Sequence, residues 1–254
     1  MSKPVILLCL PTLNEAGNIR SMLGQILDIG LDANIVVIDD GSSDGTDAIV
    51  TEMAAKHPWI QLIERGGRLG IGSAHIDALR LAKKEGYQYL VTMDADFSHR
   101  PSDIPRFLEA AKTSNIVIGT RFSRADSLKE WNLFRKGMTH LGHFLTKTLL
   151  SLPYDASGGF RVYQLSKISQ DLIDSLECRN YEFFFESLAL MYRSGLSITE
   201  VPIDLPARTY GESKMQLKHI LGGFGRLVQL AWRLRLNGLR TEGSWNGKAD
   251  FPKL

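Results

Sequence analysis

Cysteine is nearly absent: only Cys9 and Cys178 occur in 254 residues. Neither has a second cysteine nearby, which excludes a disulfide framework and a cysteine-built zinc site and fits a reducing compartment. No stretch reaches the roughly 18 uninterrupted apolar residues that a spanning helix needs. The start, Met1-Ser2-Lys3-Pro4 followed by a short apolar run, is too brief for a signal peptide. The chain is therefore expected not to cross a membrane, though it can lie on one. An excess of charge is also missing. The formal net charge of +2 argues against nucleic acid as the main partner. There is no internal repeat and no low-complexity segment. What remains, 44% hydrophobic and 23% charged residues, is ordinary for a globular protein with a full core.

Apolar runs and helical spacings alternate through the first 120 residues. Strands are predicted at Val5–Leu10, Ile35–Ile38, Ile60–Ile63, Tyr89–Met93 and Ile116–Gly119. Between them lie helical patterns over Asn18–Leu27, after Asp44 as a cap, through Ala74, Ala78, Leu81 and Ala82, and from a Ser102 cap to about Ala111. This alternation predicts an α/β fold, a mostly parallel sheet with helices on both faces. Gly66, Gly67, Gly70 and Gly72 read as a flexible connector. Beyond Thr120 the pattern changes: a helix over Trp131–Leu150, a loop Pro153–Gly159, a strand Phe160–Tyr163, a helix Tyr181–Arg193 and a strand Ile198–Ile203 follow. Met215 to about Leu236 is a long apolar and basic helical pattern interrupted by Gly222, Gly223 and Gly225. The tail 241–254 is polar and expected to be flexible.

Two strands stop in acids. Tyr89–Met93 runs into Asp94-Ala95-Asp96, and Asn34–Ile38 runs into Asp39-Asp40-Gly41-Ser42. Strand ends are where an open α/β sheet collects its ligand. Carboxylates there are hard oxygen donors suited to Mg²⁺ or Mn²⁺, which in turn bind substrate phosphates. The competing reading is a pair of solvated acidic turns, since Asp-Gly-Ser is common turn chemistry.

Further motifs extend the pattern: Pro11-Thr12-Leu13-Asn14-Glu15, Gly70-Ile71-Gly72, Gly119-Thr120-Arg121, Ser98-His99-Arg100-Pro101, Asp155-Ala156-Ser157-Gly158-Gly159-Phe160-Arg161 and Arg208-Thr209-Tyr210-Gly211-Glu212-Ser213-Lys214. With these, residues 4–235 resemble glycosyltransferase family 2. Within it they resemble the dolichyl-phosphate (polyprenyl-phosphate) mannose synthases of the type lacking a C-terminal transmembrane region. The resemblance implies a GT-A (Rossmann-like) fold with C-terminal amphipathic helices in one domain, 1–240. Residues 1–121 would form the nucleotide-binding half and 122–240 the acceptor-binding half. It implies inverting transfer of mannose from GDP-mannose to a polyprenyl phosphate with Mg²⁺ or Mn²⁺ as cofactor. It also implies a cytoplasmic protein, peripheral on the cytoplasmic face of a membrane or held there by a small membrane partner. Carried over residue by residue, Pro11, Leu13 and Glu15 would line the nucleotide site, and Ile38 and Asp40 would contact base and ribose. Asp94, Ala95, Asp96 and Ser98 would sit at the metal and diphosphate. Arg208 and Lys214 would hold the donor diphosphate, and Arg121 and Arg135 the acceptor phosphate.

The residue types suit that chemistry. A phosphate acceptor is already anionic and needs no base, but it must approach another anion; the planar arginine fork answers that problem. An alcohol acceptor needs a general base, for which Glu186 or Asp155 would be the place to look. Hence two alternatives stay open: another nucleotide sugar such as UDP-glucose or a saccharide or glycolipid hydroxyl acceptor, and a non-catalytic nucleotide-sugar-binding subunit. Asp155 and Arg161 read as a pair below the acceptor site. His75, His140 and His143 are assigned no chemistry.

Overall fold

The computed structural model describes residues 5–122, 133–204 and 217–240. It confirms an α/β architecture. Strands β1 (Ile6–Thr12), β2 (Ala33–Asp39), β3 (Ile60–Glu64), β4 (Tyr89–Thr92), β5 (Ile116–Thr120), β6 (Arg161–Gln164) and β7 (Ile198–Pro202) form one sheet. Its order is β3-β2-β1-β4-β6-β5-β7. Helices α1 (Ala16–Asp28), α2 (Thr46–Lys56), α3 (Ile71–Lys84) and α4 (Ile104–Ala110) fall between the first five strands. The helices α5 (Leu133–Leu150), α6 (Gln170–Asp174), α7 (Glu182–Arg193) and α8 (Leu217–Arg240) belong to the second half.

The strands are apolar runs because both faces of the sheet are covered. Successive residues of β1 alternate between two cores: Leu7 and Cys9 face one, Leu8 and Leu10 the other. The first core is closed by α3, α7 and α8, through residues such as Leu79, Phe183 and Leu230. The second is closed by α1 and α4, through Ile19, Met22, Leu23 and Phe107. The buried residues of α1, Ile19, Met22, Leu23 and Ile26, keep the spacing of one helical face.

One strand departs from the alternating pattern. β6 comes from the second half of the chain, inserts between β4 and β5, and runs antiparallel to both. Its start therefore lies at the ends of β4 and β5, with Arg161 opposite Thr92 on one side and Ile118 on the other. Two caps also differ. Asp44 precedes the left-handed Gly45 that caps α2; its carboxylate accepts the Thr46 and Ala16 N–H groups instead. Ser102 lies inside a 3₁₀ turn, Pro101–Asp103, that leads into α4. The short α6, capped by Ser169 accepting the Leu172 N–H, has no counterpart in the apolar pattern. The three glycines 222, 223 and 225 do not interrupt α8. Trp131, Met215 and the tail 241–254 lie outside the described residues. No described helix is long and apolar enough to cross a membrane.

His75 on α3 is wholly buried, stacked on Phe183 and edge-on to Phe184. Among the described residues neither ring nitrogen has a hydrogen-bond partner. Burial first, and then the nearby Arg161 charge, pull its pKa down to about 3. The unfolded chain therefore binds a proton that the folded chain refuses. Stability should be full above the unfolded value and fall as pH drops below it, by about 2 kcal/mol between pH 7 and pH 5. Urea titrations at those two pH values should show this loss, and His75→Leu should remove it. An unchanged acid slope in the variant would contradict the assignment.

Candidate active site

The ends of β1, β2 and β4 and the loop before β6 converge at one edge of the sheet. At the β2 end the two aspartates have different tasks. Asp39 is structural: Oδ1 accepts the Thr12 hydroxyl at 2.8 Å, and Oδ2 accepts the Ser42 N–H at 2.7 Å. Asp40 is paired with Arg65, which donates from Nη1 to Oδ1 at 2.8 Å, while the Gly70 N–H donates to Oδ2 at 2.8 Å. Arg65 also reaches Ser73 Oγ and lies 3.3 Å from Asp77 Oδ2. The sequence reading missed Arg65, a lone cation following an apolar run. The glycine connector is not slack. A Cβ on Gly70 would lie 2.4 Å from the Arg179 carbonyl oxygen, and one on Gly72 would lie 2.5 Å from that of Asn180. These glycines let α3 start against the 178–180 loop, where the Ser73 N–H also donates to the Arg179 carbonyl.

Nearer β1, Asn14 takes a left-handed conformation and ties to Ser42 and Ser43. Pro11 pairs in register with Ile38. Pro11 and Leu13 are half-buried and Ile38 is buried at this corner. Glu15 accepts from the Asn18 side chain at 2.8 Å.

At the β4 end, Asp94 is partly open and Asp96 is buried. Between them Ala95 is buried, and the next residue, Phe97, is held at a φ of 62°. The Ser98 hydroxyl donates to Asp96 Oδ1 at 2.6 Å, and its N–H donates there at 3.0 Å. His99 Nδ1 accepts the Asp94 N–H at 3.0 Å, which leaves its proton on Nε2. Two carboxylates with a hydroxyl behind one of them fit a divalent cation. Among the described residues no group of three or more His, Cys, Asp and Glu converges. Such a pair suits a divalent cation completed by other oxygen ligands, rather than a closed protein cage.

The loop 155–160 joins this carboxylate pair to Arg121 at the end of β5. A Cβ on Gly159 would sit 3.0 Å from Asp94 Oδ1, and one on Gly158 would sit 3.8 Å from Arg121 Nη2. Asp155, 1% exposed, accepts Arg121 Nε–H at 2.9 Å. Its desolvation favours the neutral acid, but the Arg121 charge and hydrogen bonds from Ser157 outweigh this and hold its pKa below the usual value. The expected Asp155–Arg161 pairing is thus replaced by Asp155–Arg121. Arg161 is wholly buried and donates instead to the carbonyls of Gly158, Ala156 and Phe184 and to Ser187 Oγ.

Glu186, the other carboxylate read as a possible base, is also committed. Its Oε2 accepts the N–H groups of Glu177 and Cys178, and Arg226 of α8 lies 3.6 Å from Oε1. The same Arg226 donates to Cys178 Sγ, whose thiol pKa burial pushes up to about 12. Arg208 and Lys214 lie outside the described residues, as does the side chain of Arg135 on α5.

Comparisons with known proteins point one way. Residues 8–172 match the sequence profile described as glycosyl transferase family 2. An undecaprenyl-phosphate mannosyltransferase of Micrococcus luteus is 34% identical over 211 residues, covering 83% of this chain and 87% of that protein. A polyprenol monophosphomannose synthase of Mycolicibacterium smegmatis is 28% identical over 237 residues, covering 92% of this chain and 89% of that protein. Among solved structures, one described as a mycobacterial protein superposes with a TM-score of 0.61 at 19% identity. It covers 93% of this chain and 74% of that one, a likeness of fold.

The Arg65–Asp40 pair is almost dry, at 5% and 10% side-chain exposure. Arg65→Met should leave a buried carboxylate without its cation and lower unfolding stability by about 3 kcal/mol in urea titration. Arg20→Ala, at the exposed pair with Glu52, is the control and should barely move the midpoint.

Proposed function

Because the chain belongs to glycosyl transferase family 2 and is a GT-A glycosyltransferase, we propose that it moves mannose from GDP-mannose to a polyprenyl phosphate, with inversion. Both relatives are named for mannosyl transfer to a polyprenyl phosphate, which supports the sugar and the acceptor class. One observation carries the reading further. Asp155 and Glu186, which a hydroxyl acceptor would need as a base, are both committed to cations and N–H groups, while the half-buried Arg121 stands at the end of β5 beside Asp155. That arrangement suits an acceptor that brings its own negative charge.

In this proposal the half 1–121 holds the nucleotide and 122–240 the acceptor. Pro11, Leu13, Glu15 and Ile38 line the nucleotide, Asp40 meets the ribose or base, and Arg208 and Lys214 face the donor diphosphate. Asp94 and Asp96 hold Mg²⁺ or Mn²⁺, with Ser98 fixing the Asp96 carboxylate. Such a cation neutralises charge growing on the departing diphosphate. Arg121 and Arg135 hold the acceptor phosphate, one oxygen of which attacks the anomeric carbon from the face opposite the leaving group. The new bond is phosphate oxygen to carbon, the broken one is carbon to diphosphate oxygen, and no proton has to be removed.

The membrane side rests on α5 and α8, which pack together. α8 buries Leu227, Leu230, Ala231 and Leu234 but leaves Phe224, Val228 and Trp232 exposed, Trp232 by 68%. α5 exposes Leu141 and Phe144. α8 thus has one face in the core and another, apolar face exposed. Exposed apolar rows flanked by exposed Lys147 and Arg235 suit a lipid surface that carries the acceptor.

The test is transfer of labelled mannose from GDP-mannose to a short-chain polyprenyl monophosphate. Activity should vanish in excess EDTA and return with Mg²⁺ or Mn²⁺. Asp96→Asn should lower kcat by about two orders of magnitude or more with the fold intact. Full turnover in EDTA would contradict the metal assignment. Replacing Phe224 and Trp232 by serine should abolish sedimentation with anionic vesicles and activity on vesicle-borne acceptor. Activity on the short, water-soluble acceptor should survive. A wild type that stays in the supernatant yet glycosylates vesicle-borne acceptor would contradict the surface assignment.

A further inference from the structure

The side chains around Arg121 close a ring. Arg121 Nε–H donates to Asp155 Oδ2 at 2.9 Å, and Arg121 Nη2–H donates to Ser157 Oγ at 3.0 Å. Ser157 Oγ–H in turn donates to Asp155 Oδ1 at 2.9 Å. The Arg121 N–H also points to Asp155 Oδ2, at 3.3 Å. Asp155 is itself held from behind, its N–H donating to Glu200 Oε1 of β7 at 2.6 Å, and the Ser157 N–H donates to Oδ1 at 3.2 Å.

A guanidinium is planar, with its N–H groups in a fixed fork. Binding one edge therefore sets the direction of the other. Here the Nε–Nη2 edge is turned onto Asp155 and Ser157. Among the described residues no hydrogen bond uses Nη1. Arg121 is not sealed in: its side chain is 12% exposed while Asp155 is 1% exposed. The ring thus fixes the plane of the guanidinium through Nε and Nη2 and, among the described residues, leaves Nη1 without a hydrogen bond. A surface arginine would have to lose rotamer freedom on binding phosphate; this one has lost it already.

We infer that Asp155 is a positioning residue for acceptor recognition: through the ring with Ser157 it presets the Arg121 fork for a phosphomonoester. The inference rests on the reading of Arg121 as the acceptor-phosphate arginine. It also gives the loop a purpose beyond packing. The same loop abuts Asp94 through Gly159, so the acceptor arginine and the donor-side carboxylate are held by one short segment.

The experiment is steady-state kinetics on the full chain, with GDP-mannose and a short-chain polyprenyl monophosphate, for wild type, Asp155→Asn, Arg121→Ala and the double variant. Asp155→Asn should raise KM for the lipid phosphate by about tenfold, the scale of one lost charge-assisted alignment. KM for GDP-mannose should stay within about twofold. In the Arg121→Ala background, Asp155→Asn should add nothing further to the acceptor KM, because its effect passes through that arginine. An equal rise in both KM values, or a full Asp155→Asn effect without Arg121, would show a merely structural role and overturn the inference. If Asp155→Asn fails to fold, Ser157→Ala decides. It cuts one link of the ring and must show the same selective rise, and wild-type acceptor kinetics would overturn the inference. Wild-type protein that transfers nothing to the phosphate acceptor would overturn the underlying reading, a result distinct from both.

Discussion

A guanidinium with no exposed surface constrains this molecule more than any other group. Arg161 sits at the first position of β6, and among the described residues no carboxylate lies within ion-pair distance of it. A charge so buried is tolerable only if its N–H groups are satisfied. The groups that satisfy it are the carbonyls of Ala156 and Gly158 from the preceding loop, with Phe184 and Ser187 from α7. The loop therefore has to close over Arg161. Closing it brings Gly159 against Asp94 and the Asp155–Ser157 pair against Arg121. Because β6 is antiparallel, this loop emerges where β4 and β5 end, the edge at which an α/β sheet binds ligands.

A second polar lattice stands at the other half of that edge. Asp39 locks Thr12 and Ser42, Asp44 locks Ala16 and Thr46, and Asp40 locks Arg65 and Gly70. These carboxylates join the ends of β1 and β2 to the starts of α1, α2 and α3. Burial disfavours the Asp44 charge, but hydrogen bonds from Thr46 and Ala16 more than offset it and hold its pKa low. The lattice ties these strand ends and helix starts together through side chains of the protein alone, the kind of fixed polar framework that preorganised electrostatics requires.

How much of this was legible in the sequence follows from the range of each interaction. The strands of the first half could be read because both faces are buried and the runs are continuous, as in Ile35–Ile38. The strand-end acids could be read because they interrupt those runs. The position of β6 could not, since nothing local says that Arg161–Gln164 separates β4 from β5. The Arg121–Asp155 ring spans 34 residues, and the nearer Arg161 was the natural partner to assign; the carbonyls that satisfy Arg161 leave no pattern in side-chain identity. Arg65 escaped for the same reason, its partner Asp40 lying 25 residues upstream. The glycine connector was read as slack because composition cannot show that Gly70 and Gly72 face another loop's backbone.

In the proposed reaction the acceptor already carries negative charge and meets an arginine rather than a base. The most direct measurement gives the enzyme, with GDP-mannose and a divalent cation, a polyprenyl monophosphate and the free polyprenol of the same chain length, and follows the labelled products. The expected result is mannosyl transfer to the monophosphate and none to the alcohol. Transfer to the alcohol at a comparable rate would contradict it, because that reaction needs a proton acceptor and both candidates, Asp155 and Glu186, are committed elsewhere.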